Sequence, residues 1–86
     1  MSIRFFGLTT CVACKKVKEY LDQSGVEYDC VFVDKLTGAE REEAVRELTA
    51  HNPRATFPTV VAKGVVVVGL DLEKLQKTMQ VYTSAN

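Results

Sequence analysis

The stretch "IRFFGLTTCVACKKVKEYLDQSG", residues 3–25, passes from an apolar, aromatic run into a helical pattern and sets two thiols at the joint. Ile3, Arg4, Phe5, Phe6, Gly7 and Leu8 have the length and composition of a strand, and the run ends at Thr9 and Thr10, which can cap a helix. After the cysteines, Ala13, Val17 and Leu21 recur every four residues with Tyr20 alongside, and Gly25 follows as a left-handed stop. That is a helix of about three turns. Cys11 and Cys14 therefore sit where a strand becomes a helix, as a redox couple, half of a metal site, or a packing accident.

Working outward, "VEYDCVFVD", residues 26–34, alternates Val26, Tyr28, Cys30 and Phe32 with Glu27 and Asp29 before both parities turn apolar at Val31 and Val33. This predicts a second strand, with Cys30 on its interior-facing parity as a buried, inert cysteine. Thr37 and Glu40 have capping-box spacing, and helix formers run from there to His51, with Ala44, Val45 and Leu48 as an apolar stripe. Asn52-Pro53 stops this helix. Thr59–Ala62 and Val65–Val68 are β-branched runs separated by Lys63-Gly64, a tight-hairpin signature. Leu72, Leu75 and Met79 mark a last helix with Asp71 as its N-cap. The order β-α-β-α-β-β-α forces a parallel pair across the first helix and an antiparallel hairpin in the same sheet, so the fold class is α/β with helices on the sheet's faces.

The chain has 86 residues, room for one domain spanning residues 1–86. Eleven basic residues balance eleven acidic ones, so no field draws the protein onto nucleic acid or an anionic membrane. The opening "MSIRFFGL" lacks the apolar core and cleavage site of a signal peptide, and no apolar run approaches the roughly 20 residues that cross a bilayer. We expect a cytoplasmic monomer. Three cysteines is an odd count, and in a reducing compartment a close pair does redox chemistry or binds metal more often than it braces structure.

Residues three apart in a helix lie about 4.5 Å apart along the axis, with Cα atoms about 5 Å from each other. A disulfide spans roughly 4.4 to 6.8 Å between Cα atoms, so the bond can form and break with little backbone movement. The thiolate is the reactive species, and unpaired N–H groups at a helix N-terminus favour it. Cys11 gains most from this and is assigned as the attacking nucleophile, with Cys14, one turn further in, as the resolving thiol. Lys15 and Lys16 either add positive charge there or are solvated surface lysines. A zinc site would need two more ligands, for which only Cys30 and His51 remain, and His51 near a helix C-terminus reads as a surface residue.

With strand, "CVAC" (11–14), helix, strand, helix, "TFPTV" (56–60), hairpin and helix in that order, the chain resembles the glutaredoxin family of the thioredoxin fold over nearly its full length. The resemblance implies a four-stranded mixed sheet with helices on both faces. It also implies a disulfide oxidoreductase that reduces protein or glutathione mixed disulfides through Cys11 and Cys14. Thr56, Phe57 and Pro58 become a docking strip in which Pro58 is cis, against a general trans preference. "VVVGLDLEKL", residues 66–75, looks like the family's turn for glutathione's γ-glutamyl group, with Gly69 and Asp71 at the matching positions. A plain turn glycine and a helix N-cap explain the same two residues.

No bound cofactor is implied, and the electron source is glutathione or a flavin-dependent thioredoxin reductase. Leu8, Ala13 and Arg54 depart from the family's usual residues or spacing, and the turn is one residue short. These departures tilt the reading towards a reductase. A non-catalytic module holding zinc or an iron–sulfur cluster through the same cysteines is the alternative.

Overall fold

In the computed structural model, which describes residues 3–84 and side chains through residue 80, the elements follow the expected order. They are β1 (Ile3–Gly7), α1 (Val12–Ser24), β2 (Tyr28–Phe32), a 3₁₀ turn (Val33–Lys35), α2 (Gly38–His51), β3 (Thr59–Ala62), β4 (Val65–Val68) and α3 (Leu72–Ser84). The strands form one mixed sheet in the order β2-β1-β3-β4. β1 pairs in parallel with β2, while β1 with β3 and β3 with β4 are antiparallel. The hairpin turns on Lys63 and Gly64 with φ of 48° and 79°, the two positive φ values that match the right-handed twist of the strands.

Because β1 is central, both of its faces are covered, and Ile3, Phe5 and Phe6 are all buried. Ile3 and Phe5 join Val60, Ala62 and Val67 beneath Cys14, Val17 and Leu21 of α1 and Leu75 and Met79 of α3. Phe6 joins Val33 beneath Ala44 and Leu48 of α2. Helices thus lie on both faces of a thioredoxin-like sheet. Arg4 ties β1 to α2 by a two-pronged bond to the Glu47 carboxylate, with N–O distances of 2.8 and 2.6 Å. The pair is partly exposed, which limits its worth to about 1 kcal/mol or less.

Five local expectations change. β2 begins at Tyr28 rather than Val26, and the chain bends into the 3₁₀ turn at Val33, whose side chain crosses to the α2 face. Cys30 is exposed, not buried, because β2 is an edge strand and residue parity alone does not cover an edge. Thr37 occupies the N-cap of α2 but its side chain makes no capping bond, and Val45 faces solvent while Ala44 and Leu48 carry the contact. In α1 the buried stripe is Cys14, Val17 and Leu21, so Cys14 takes the core position expected of Ala13.

Gly7 ends β1 directly beneath the first turn of α1. A Cβ there would lie 2.8 Å from Phe5 Cζ and 3.3 Å from Cys14 Cβ. Both neighbours are fully buried, so neither can retreat cheaply. Gly7→Ala should destabilise the protein by about 1–3 kcal/mol through overpacking, read from the urea midpoint at unchanged slope.

Candidate active site

Cys11 is itself the N-cap of α1. Its backbone is extended, at φ −89° and ψ 120°, and its Sγ accepts the N–H of Cys14 at 3.2 Å. The threonines proposed as caps are displaced from that role: Thr10 is exposed, and Thr9 bonds to Asp34 instead. A sulfur in the N-cap position receives the N–H groups that the first helical turn leaves without partners. No acidic residue occupies that first turn, so nothing opposes the helix's partial positive charge.

The two thiols differ in environment. Cys11 is partly exposed, whereas Cys14 is completely buried beneath it. The Cys14 thiol donates to the Cys11 sulfur, and with the N–H groups of Cys14 and Ala13 this holds the Cys11 pKa below its ordinary value. Burial, aided by that same donated hydrogen bond, pushes the Cys14 thiol up to about 11. One sulfur is prepared to be an anion at the surface and the other to stay protonated. This is the division of labour that disulfide exchange requires.

The strip Thr56, Phe57 and Pro58 enters β3 at the same end of the sheet as the thiols, because Thr59 pairs with Phe6 near the end of β1. The Phe57–Pro58 peptide is cis, Pro58 is buried, and Phe57 packs against both cores. Cys11 and Phe57 border the same cluster, around Cys14 and Phe5. Gly69, at φ 75°, donates its N–H to the Pro58 carbonyl at 2.8 Å, which brings the turn before α3 against the strip. Asp71 caps α3 by accepting the Lys74 N–H at 3.1 Å. The turn and cap readings of Gly69 and Asp71 are therefore both realised. Val12, Leu70 and Leu72 are exposed around this end of the molecule, Val12 to 67%.

Sequence reasoning missed Asn52, which it took only for a stop signal. Asn52 is buried, and its amide ties together the loop, the strip and the start of β3. Its Nδ2 donates to the hydroxyls of Thr56 at 3.0 Å and Thr59 at 3.1 Å, and its Oδ1 accepts the Arg54 N–H at 3.3 Å. Thr59 in turn donates to the Thr56 carbonyl. The network holds Ala55 at φ 50°, a left-handed conformation that costs an alanine about 1 kcal/mol. Asn52→Ala should destabilise the protein by about 1–3 kcal/mol, because Thr59 is left buried with a lost partner, and thermal unfolding of the variant measures it.

Cys30 and His51 lie apart from this site, at the sheet edge and at the last residue of α2. Among the described residues no three His, Cys, Asp or Glu side chains gather in a way that could hold a metal ion. A groove between β2 and α2, lined by Arg4, Cys30, Phe32, Lys35 and Glu47 among others, includes none of the seven candidate site residues. No described helix is long and apolar enough to cross a membrane.

The glutaredoxin family model matches residues 3–67. The chain is similar to a glutaredoxin from Archaeoglobus fulgidus, with 31% identity and a TM-score of 0.86 over 91% of this chain and 85% of that one. It is similar to a glutaredoxin from Methanosarcina mazei, with 39% identity and a TM-score of 0.84 over 91% and 77% of the two chains. A buckwheat glutaredoxin in complex with glutathione aligns at 26% identity and a TM-score of 0.68, over 92% of this chain and 72% of that one. No curated protein matches the chain.

Proposed function

The chain belongs to the glutaredoxin family, and from that premise we propose that it reduces disulfides of proteins, or mixed disulfides with glutathione, through Cys11 and Cys14. The observation that carries this reading is the Cys11 sulfur at the helix N-cap, bonded to the Cys14 N–H above a buried Cys14 thiol. The Cys11 thiolate attacks one sulfur of the substrate disulfide, forming a mixed disulfide and releasing the other substrate sulfur as a thiolate that takes a proton from water. Cys14 then gives up its proton and attacks the Cys11 sulfur. An internal disulfide forms and the second substrate thiolate departs. Two electrons have passed to the substrate, and one dithiol or two glutathione molecules must return them.

Thr56, Phe57 and Pro58 would dock the substrate chain beside the thiols, and Val12, Leu70 and Leu72 offer an apolar rim suited to a protein. Gly69 and Asp71 would meet the γ-glutamyl end of glutathione. Of the two turn groups, the Gly69 N–H is already given to Pro58, and one Asp71 oxygen is occupied by its cap bond. That supports a reductase, rather than glutathione, as the electron source of a cytoplasmic monomer.

The test is turnover of insulin disulfides with two regenerating systems, glutathione with its reductase and thioredoxin reductase with its nicotinamide donor. The proposal expects turnover in both insulin assays or in the second alone. Failure of both would overturn it, and faster turnover with glutathione would reverse the choice of reductant.

A further inference from the structure

Between β1 and the Cys11 cap runs a three-residue loop, Leu8, Thr9 and Thr10, that contains no proline to stiffen it. Its conformation governs the site. The Cys11 N–H donates to the Leu8 carbonyl at 3.2 Å, closing a turn immediately before the cap.

The loop is held from outside itself. The Thr9 N–H reaches both oxygens of the Asp34 carboxylate, at 3.1 and 3.2 Å, and the Thr9 hydroxyl donates to Asp34 Oδ2. Asp34 lies in the 3₁₀ turn after β2, next to Val33, whose buried side chain anchors that turn to the core. A carboxylate 25 residues away thus grips the middle of the loop that sets the nucleophile.

We propose that Asp34 is a positioning residue for thiol exchange: through Thr9 it fixes the Leu8–Cys11 turn, and so holds the Cys11 sulfur over the Cys14 N–H. The inference rests on the reading of Cys11 as nucleophile. The Thr9 hydroxyl bond holds the Asp34 carboxyl below its ordinary pKa. The ionisable groups that act on one another here are Cys11, Cys14, Asp34 and Lys35. Asp34 also makes ionisation of Cys14 harder, but it is exposed, so water screens that effect and the grip on Thr9 is the larger one.

The experiment compares Asp34→Ala, Asp34→Asn and Thr9→Val in the reduced protein. It follows the rate of Cys11 alkylation against pH by peptide mass, with thermal unfolding in parallel. Asp34→Ala should slow alkylation near neutral pH about fivefold, the worth of one net hydrogen bond, and move its midpoint towards that of a free thiol. Asp34→Asn keeps an oxygen for the Thr9 N–H and should recover most of the rate. Thr9→Val, which loses only the hydroxyl bond, should fall between.

A wild-type midpoint in both Asp34→Ala and Thr9→Val, whatever their stability, would overturn the proposal. So would an Asp34→Asn protein as slow as Asp34→Ala, since charge rather than grip would then be at work. The readout is thiol reactivity and uses no disulfide substrate, so a wild-type protein that fails to reduce insulin defeats the proposed function without deciding this comparison.

Discussion

Replacing Cys11 by serine should reduce disulfide turnover at least about a thousandfold, whereas replacing Cys14 by serine should leave the first half of the reaction intact and stall the second. The asymmetry follows from burial. Cys11 is the sulfur a substrate can reach, and a serine hydroxyl in its place does not ionise near neutral pH, so no thiolate exists to open the substrate disulfide. Cys14 is completely buried, so in the proposed mechanism it acts only on the Cys11 mixed disulfide. With Cys14→Ser, the mixed disulfide on Cys11 has no internal thiol to displace it. Mixing that variant with a protein disulfide should yield a covalent one-to-one complex, stable without reductant and dissolved by dithiothreitol. A complex of the same yield from Cys11→Ser would reverse the two assignments.

The second large effect is on stability at alkaline pH. Cys14 ionises at about 11 in the folded protein because its anion would be buried, but near 8.5 once unfolded. A raised folded pKa leaves the protein's full stability in place below the unfolded value and erodes it above. Between those two pKa values the unfolded chain releases a proton that the folded chain keeps. Stability should therefore fall by up to about 1.4 kcal/mol per pH unit until folded Cys14 also titrates.

Cys11 has the opposite sign. Its lowered folded pKa adds stability that is fully present above the free-thiol range and is lost as pH falls through the folded value. Other groups titrate in the alkaline range, the raised Tyr28 among them, so the quantity to measure is a difference. The urea-unfolding free energy of reduced wild type minus that of Cys14→Ser should decline from pH 8 to pH 10, by about 2 kcal/mol. A flat difference would mean that the buried thiol ionises as easily in the folded state as in the unfolded one.

Much of this architecture was legible in the residues. Strand and helix alternation from Ile3 to Met79 fixed the element order, because β-branched runs, helical spacing and Gly25, Asn52, Lys63-Gly64 and Asp71 all point to the same boundaries. What could not be read was which strands lie at the edge. Alternation in "VEYDCVFVD" is the same whether a neighbour covers the strand or not, and only the order β2-β1-β3-β4 reveals that Cys30 lies open.

At the site, the spacing of Cys11 and Cys14 was the strongest signal, and the resemblance to glutaredoxins supplied the cis Pro58 that composition alone argues against. The cap was misread for a physical reason. Threonine outranks cysteine as a local N-cap, but Thr9 finds a better acceptor in Asp34, far away in sequence, and the cap passes to the sulfur. Asn52 escaped for the same reason: its bonds to Thr56 and Thr59 depend on how the chain after α2 folds back. An Asn-Pro pair, a Thr three residues ahead of another Thr and a buried strand start are the only hints, and none names the contact.

The helix N-cap favours the anion of the partly exposed Cys11 sulfur, whereas burial disfavours that of the Cys14 sulfur beneath it. The most direct measurement is the rate at which iodoacetamide labels each cysteine of the reduced protein from pH 5 to pH 10, resolved by peptide mass. The account predicts that Cys11 titrates at a midpoint below the free-thiol value of about 8.5 and labels fastest at neutral pH, with Cys14 all but inert across the range. A Cys11 midpoint at or above the free-thiol value, or Cys14 labelled as fast as Cys11, would contradict it.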